Sequence, residues 1–102
     1  MLGAKMSGVL VETNERWYEC VAPSGDTVYN LEGHISTGFV EIEESGRTCF
    51  TYPRMQTTSR SCFHVQMEEG KRVFVEETSR IKFRVDEIDR GFDQCPASQP
   101  VS

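Results

Sequence analysis

Two segments of this chain carry the same pattern: Val40-Glu41-Ile42-Glu43-Glu44-Ser45-Gly46-Arg47 and Val65-Gln66-Met67-Glu68-Glu69-Gly70-Lys71-Arg72. Each begins with alternating apolar and polar residues, passes through two acids and a glycine, and reaches a basic residue that precedes a second alternating run. Alternation with a period of two is typical of a strand with one buried face, and glycine accepts the left-handed backbone of a tight hairpin. Both segments are therefore predicted to be β-hairpins.

The residue pattern favours three-residue hairpin loops, 44–46 and 68–70. With these loops Glu43 pairs with Arg47 and Met67 pairs with Lys71, and the apolar residues collect on one face. That predicted apolar face holds Val40, Ile42, Phe50, Tyr52, Phe63, Val65, Met67, Val73 and Val75. The predicted outer face holds Glu41, Cys49, Thr51, His64, Gln66, Arg72, Phe74 and Glu76. A two-residue turn at 45–46 would mix the apolar and polar sets.

The chain has 102 residues, of which 37% are apolar and 10% aromatic, and this supports one modest core. We predict one β domain over residues 8–91, preceded by a flexible lead at 1–7 and followed by a loose tail at 92–102. The lead lacks the charged-then-apolar build of a secretion signal. No apolar run approaches the roughly 18 to 20 residues of a membrane span.

Further strands are predicted on either side of the hairpins by short apolar, aromatic and β-branched runs. They cover residues 9–12, 15–21, 27–31 and 80–85, with a connection at 34–37 between Gly33 and Gly38. Seven or eight short strands without a helical period predict an all-β, antiparallel meander. Such a sheet protects its edges by curling into a small barrel or half-barrel. An edge left unpaired would allow a homodimer by sheet extension.

The charge balance is acidic, with 16 acidic and 11 basic residues and a formal net charge of -5. The acids cluster at 41–44, 68–69, 76–77 and 86–89. Because such a surface repels phosphate backbones, nucleic-acid binding is disfavoured.

Four cysteines leave several alternatives open. Cys49 and Cys62 fall side by side on neighbouring predicted strands, and a second bond from Cys20 to Cys95 would tie the barrel seam or clamp the tail. Free buried thiols in a cytoplasmic protein are the main alternative. Zinc is disfavoured because no two cysteines have C-x2-4-C spacing. Cys62 and His64 lack a recognisable orienting acid for thiol catalysis.

The candidate binding residues are aromatic residues and one histidine. Trp17, Tyr18 and Tyr29 are predicted to line the mouth of a barrel cavity, although aromatic residues on short strands more often belong to the core. His34 falls in a predicted loop, where functional side chains concentrate, whereas His64 is predicted on the solvated outer face. No motif indicates a metal or another cofactor, and none identifies a catalytic site.

Three short motifs carry a family resemblance: Gly46-Arg47-Thr48-Cys49-Phe50, Ser61-Cys62-Phe63-His64-Val65 and Gly70-Lys71-Arg72-Val73-Phe74. Together they resemble the G-x-x-C, C-[FY]-x-V, G-x-x-[YF] pattern of small lipocalin-like domains in secreted bacterial proteins, over about residues 38–91. The resemblance implies export, an up-and-down β arrangement and a bond between Cys49 and Cys62. It implies no activity.

These observations favour a non-catalytic binding or interaction domain of the bacterial envelope, periplasmic or secreted. Its partner is expected to be a small apolar ligand held in the barrel or a protein that meets the acidic face. The alternative is a small acidic inhibitor, of the immunity or anti-defence type, that blocks a basic active site, and its location would be cytoplasmic. An enzyme is the third reading, since the sequence specifies no nucleophile and base.

Overall fold

The computed structural model describes residues 2–53 and 58–90 of the chain. Its eight strands are β1 (Ala4–Leu10), β2 (Arg16–Val21), β3 (Asp26–Leu31), β4 (His34–Ile42), β5 (Thr48–Pro53), β6 (Thr58–Glu68), β7 (Lys71–Glu76) and β8 (Lys82–Arg90). The strands follow chain order around a closed barrel, and every neighbouring pair is antiparallel. The predicted all-β meander is confirmed. Within the described ranges, no helix is long and apolar enough to cross a membrane.

The first hairpin has the predicted three-residue loop. The Glu43 N–H donates to the Arg47 carbonyl at 2.9 Å, and the Gly46 N–H donates to the Glu43 carbonyl at 2.8 Å. Gly46 has a φ of 92°, the left-handed backbone that glycine adopts without strain. The predicted register of β4 and β5 is therefore correct.

The second hairpin is one residue tighter than predicted, so the expected pairing of Met67 with Lys71 is wrong. Met67 pairs with Arg72 instead, and Glu69 and Gly70 alone form the turn, with φ values of 51° and 81°. Positive φ at both positions is the geometry of the two-residue turn whose twist matches that of the flanking strands.

The change of one residue turns the whole of β7 over, because side chains alternate between the two faces. Phe74, predicted on the outer face, packs inside the barrel against Phe63, with ring centroids 6.3 Å apart. Val73 and Val75 take the outer face, opposite to their prediction.

The connection predicted at residues 34–37 is also wrong, because these residues belong to β4. Glu32 and Gly33 form a two-residue turn with φ values of 50° and 93°, and Leu31 pairs directly with His34. Gly38 is a strand glycine at a close approach of β5. A Cβ atom there would lie 1.9 Å from the Thr51 carbonyl oxygen, so the side chain is excluded by backbone.

The barrel closes through residues that the sequence placed in the flexible lead. β1 begins at Ala4, whose side chain is fully buried, and it pairs with β2 on one side and β8 on the other. β8 extends to Arg90, beyond its predicted end at Val85. Closure pairs each strand on both sides, so sheet extension from an open edge is no route to a homodimer. The predicted tail lies outside the described residues.

The core fills the barrel interior with aliphatic and aromatic side chains. Its buried members are Met6, Leu10, Trp17, Val21, Val40, Phe50, Phe63, Phe74 and Val85, with Tyr29, Leu31, Tyr52 and Phe83 packed against them. The indole Nε1–H of Trp17 donates to the Arg84 carbonyl at 3.1 Å, which satisfies the only polar atom of that side chain.

A disulfide joins β5 to β6 on the outer side of the barrel, as predicted. Cys49 and Cys62 are directly paired residues, with Cα atoms 4.0 Å apart, and both are buried. Cys20 is buried in β2, whereas its predicted partner Cys95 lies outside the described residues. The described part of the chain contains no free thiol.

Candidate functional site

A cavity of about 220 Å³ lies inside the barrel and is partly open to solvent. Its walls are mainly apolar and come from all eight strands. The lining residues are Met6, Trp17, Glu19, Tyr29, Ser36, Phe50, Tyr52, Ser59, Ser61, Phe63, Phe74 and Phe83.

The cavity volume limits the size of an occupant. A dry protein cavity of about 150 Å³ holds benzene, whereas drug-sized ligands occupy sites of about 300 Å³ or more. At about 220 Å³, the space fits one aromatic ring with a short substituent.

Aromatic rings form most of the cavity wall and contact one another. Tyr29 and Tyr52 have ring centroids 6.0 Å apart, and Phe50 stacks parallel to Tyr52 at 6.3 Å. Trp17 meets Phe83 edge to face at 5.9 Å. Such arrangements hold each ring in a fixed position, so the walls form a preformed apolar surface.

Glu19 is the acidic residue among the described residues that line this cavity. It lies on β2 between Trp17 and Val21 on the same inward face, and only 4% of its surface is exposed. The Tyr52 hydroxyl, from β5, lies 3.0 Å from Glu19 Oε1 and 3.2 Å from Oε2. A single O–H donates one hydrogen bond, so the two carboxyl oxygens share it and retain capacity for further donors.

Burial controls the protonation of this group. Desolvation raises the pKa of Glu19 well above its ordinary value of 4.5, and the hydroxyl groups of Tyr52 and Thr27 offset this only in part. Desolvation, followed by the nearby charge of Glu19, also raises the pKa values of Tyr29 and Tyr52. The two phenols are therefore fixed as neutral hydroxyl donors beside an acid whose ionisation is costly.

Thr27 adds a second polar group near this pair. It lies on the same face of β3 as Tyr29 and is 2% exposed. Its hydroxyl is close to Glu19 and Tyr52, yet its Oγ1 makes no hydrogen bond of acceptable geometry to any part of the described chain. Thr27 is not among the described residues that line the cavity.

Serine side chains mark the polar part of the cavity wall. Ser59 is exposed, and Ser36 and Ser61 are partly exposed, whereas the aromatic residues Phe50 and Phe63 are buried. The cavity is therefore polar where it meets solvent and mainly apolar inside, where Glu19 and the Tyr52 hydroxyl are the polar groups.

The four residues singled out from the sequence fall in different places. Trp17 and Tyr29 line the cavity. Tyr18 is half-buried on the opposite face of β2, paired with Asn30, and its burial raises its pKa. His34 is exposed at the start of β4. Neither Tyr18 nor His34 is among the residues that line the cavity.

Glu19 was not among the site residues predicted from the sequence. Its signal is nevertheless present, because an acid that alternates with Trp17 and Val21 stands on the apolar face of its strand. The contact with Tyr52 joins β2 to β5, which are not neighbours in the sheet. No pattern along the chain predicts such a contact across the barrel.

The acid clusters on the outer surface are partly neutralised by ion pairs. Arg47 contacts Glu43 at 2.7 Å and Glu77 at 2.5 Å, and His64 contacts Glu77 at 2.8 Å. The pKa of Glu77 is lowered, first by its hydrogen bond with Arg47.

A second ion-pair group lies where β7 meets β8. Lys71 and Arg84 contact Asp86 at 2.9 and 2.7 Å, and hydrogen bonds from Arg84 and then Lys71 lower the pKa of Asp86 to about 2. Within residues 2–53 and 58–90, no three His, Cys, Asp or Glu side chains are grouped to hold a metal ion.

The fold and the cavity define a class: an eight-stranded, closed antiparallel β-barrel with a small interior chamber, compatible with a lipocalin-like fold. No family model, curated protein or solved structure matches the chain.

The pKa of Glu19 leads to a test of stability against pH. The pKa of Glu19 is higher in the folded state than in the unfolded state. Its contribution to stability is therefore fully present when the pH is below the unfolded-state pKa, and it is lost as the pH rises through the folded-state pKa. Glu19→Gln removes this loss while keeping a partner for Tyr52. We expect the variant to be more stable than the wild type at pH 7 by about 1–3 kcal/mol. Urea unfolding at pH 4 and pH 7 measures the difference.

Glu44→Gln, in the exposed loop of the first hairpin, is the matched control and is expected to change stability by less than about 0.5 kcal/mol. Parallel curves of stability against pH for wild type and Glu19→Gln would contradict the assignment of a costly buried acid.

Proposed function

We propose that the protein binds a small, largely apolar ligand inside its barrel. The observation that carries this proposal is the aromatic cavity of about 220 Å³ with one buried polar site, Glu19 and Tyr52, in its wall. Ligand sites combine this mainly apolar lining with a few fixed polar groups that set orientation.

The volume of the cavity and the residues that line it together define the expected ligand. The aromatic walls favour a flat apolar body, and the volume limits it to one ring with a short chain. A polar group at one end of the ligand would reach Glu19 and Tyr52. The proposed role is retention or transport of this ligand, which needs only an apolar cavity with a few orienting polar groups.

The sole tryptophan of the chain gives a direct readout, since Trp17 lines the cavity. We expect saturable changes in its fluorescence when single-ring probes are titrated. The probes are 2-phenylethanol, 2-phenylethylamine and 3-phenylpropionate, which differ mainly in charge. At least one of them is expected to bind with a Kd below about 1 mM, or about -4.1 kcal/mol.

Two matched variants on one strand distinguish binding in the barrel interior from binding on the outer surface. Ser61→Leu on the inner face of β6 fills the cavity and is expected to weaken binding at least 10-fold, whereas Gln66→Leu on the outer face leaves it unchanged. The proposal is contradicted if none of the three probes gives a saturable change, or if both variants bind like the wild type.

We further propose that the protein works in an oxidising compartment outside the cytoplasm, in the periplasm or as a secreted protein. The support is the disulfide between Cys49 and Cys62, because such bonds persist in oxidising compartments. Intact mass with and without thiol alkylation, on protein isolated from its native host, tests this. Four alkylated cysteines without prior reduction would point to the cytoplasm instead.

A further inference from the structure

We propose that the cavity selects a protonated amine: a single-ring aromatic amine whose ammonium group sits against the Glu19 carboxylate while its ring contacts the aromatic walls. This inference rests on the proposed function and names the chemistry of its ligand.

The charge of the lining residues gives the first argument. Among the described residues that line the cavity, Glu19 is the only acid and none is basic. A carboxylate or phosphate ligand would meet a buried acid with no compensating cation, whereas an ammonium group supplies the missing countercharge. The net charge of -5 also raises the concentration of cations near the protein.

The hydrogen-bond geometry gives the second argument. The two oxygens of Glu19 share the Tyr52 hydroxyl as a donor, at 3.0 and 3.2 Å. An ammonium group has three N–H donors. An ammonium group beside Glu19 offers several N–H donors to the remaining acceptor sites of the two carboxylate oxygens, whereas a hydroxyl offers one O–H.

The aromatic rings give the third argument. Tyr29 and Tyr52 lie 6.0 Å apart by centroid and both line the cavity with Glu19. A cation near the face of such a ring is attracted by its quadrupole, and the attraction grows when water is excluded. Aromatic walls around an acid therefore bind an ammonium group better than a neutral polar group.

Binding of the amine also moves a proton. Glu19 is neutral in the free protein below its raised pKa. When the ammonium ligand binds there, the Glu19 carboxyl group loses its proton to solvent and becomes the carboxylate that pairs with the ligand. The facing titratable groups, Tyr29 and Tyr52, keep their protons, and Glu15 contributes only its charge near Tyr29. Affinity for the amine is therefore expected to rise with pH until Glu19 is ionised, while affinity for a neutral ligand stays constant.

The test compares 2-phenylethylamine with 2-phenylethanol, which differ only in the terminal group, by isothermal titration calorimetry at pH 6 and pH 8. We expect the wild type to bind the amine at least 10-fold more tightly than the alcohol at pH 8, with less preference at pH 6. In Glu19→Gln the preference for the amine over the alcohol should fall below 3-fold. Glu44→Gln should behave like the wild type.

Three results would overturn the proposal. The first is equal or tighter binding of the alcohol by the wild type, which leaves the proposed function standing and removes only the amine. The second is an amine preference that survives in Glu19→Gln, which places the recognition elsewhere. If neither compound nor 3-phenylpropionate binds, the proposed function fails together with this inference. Urea unfolding of Glu19→Gln verifies that the variant is folded.

Discussion

Replacing Phe63 with alanine is expected to lower the free energy of unfolding by about 3–5 kcal/mol. Phe63 is 9% exposed and meets three other rings edge to face: Phe50 at 5.8 Å, Phe83 at 5.6 Å and Phe74 at 6.3 Å. Its removal leaves a void among rings that are held by three different strands. Since a domain of this size has a margin of about 5–15 kcal/mol, this is a large fraction of its stability.

Val65→Ala is the matched control for Phe63, because it lies two residues further along the same face of β6 and is 43% exposed. We expect that variant to lose less than about 1 kcal/mol, as an exposed apolar side chain contributes little. Urea unfolding of the two variants measures both values. Equal losses would contradict the position of Phe63 at the centre of the aromatic core.

Removal of the central disulfide is expected to have the second largest effect. The double variant Cys49→Ala/Cys62→Ala opens a loop with a sequence separation of 13 residues. In the chain-entropy model, a loop of this size stabilises the fold by about 3 kcal/mol, because the bond restricts the unfolded chain. Urea unfolding under non-reducing conditions should show this loss.

The comparison under reducing conditions serves as the control for the disulfide. When the wild-type bond is also opened by dithiothreitol, the two proteins should differ by less than about 1 kcal/mol. A difference below about 1 kcal/mol under non-reducing conditions would contradict a stabilising role for the bond.

The residue pattern predicted the register of one hairpin correctly and that of the other incorrectly. In the first hairpin, only a three-residue loop places Val40 and Ile42 on the opposite face of the sheet from Arg47. The structure has this loop. In the second hairpin, Val73 and Phe74 are both apolar, so either register puts an apolar residue inside. The pattern then cannot fix the register, and the turn geometry of Glu69 and Gly70 decides it.

The position of Gly38 was also predicted incorrectly. Gly33 and Gly38 both read as loop boundaries, but only Gly33 lies in a turn. Gly38 is required where the backbone of β5 comes close to β4, and this distance has no signal in the residue pattern. The candidate site shows the same limit. Trp17 and Tyr29 were recognisable as strand aromatic residues, whereas the contact of Glu19 with Tyr52 depends on the curvature that brings β2 opposite β5.

The barrel explains why an acid is tolerated at this position. Glu19 belongs to a rigid strand, and Tyr52 reaches it from across the interior, so the carboxyl group is held in place without a flexible loop. Rigid placement lowers the entropic cost of binding, since the site does not need to be ordered by the ligand. A costly buried acid in a preformed cavity is therefore consistent with selection for binding rather than for stability.

The most direct test of the central claim, that the barrel interior is the binding site, is an isotope-filtered NOESY experiment on the ¹³C-labelled protein with unlabelled 2-phenylethylamine. We expect ring protons of the ligand to show NOEs to Trp17 and Phe74, and its methylene protons to Tyr52. NOEs to exposed outer-face residues such as Gln66, without any to Trp17 or Phe74, would contradict binding inside the barrel.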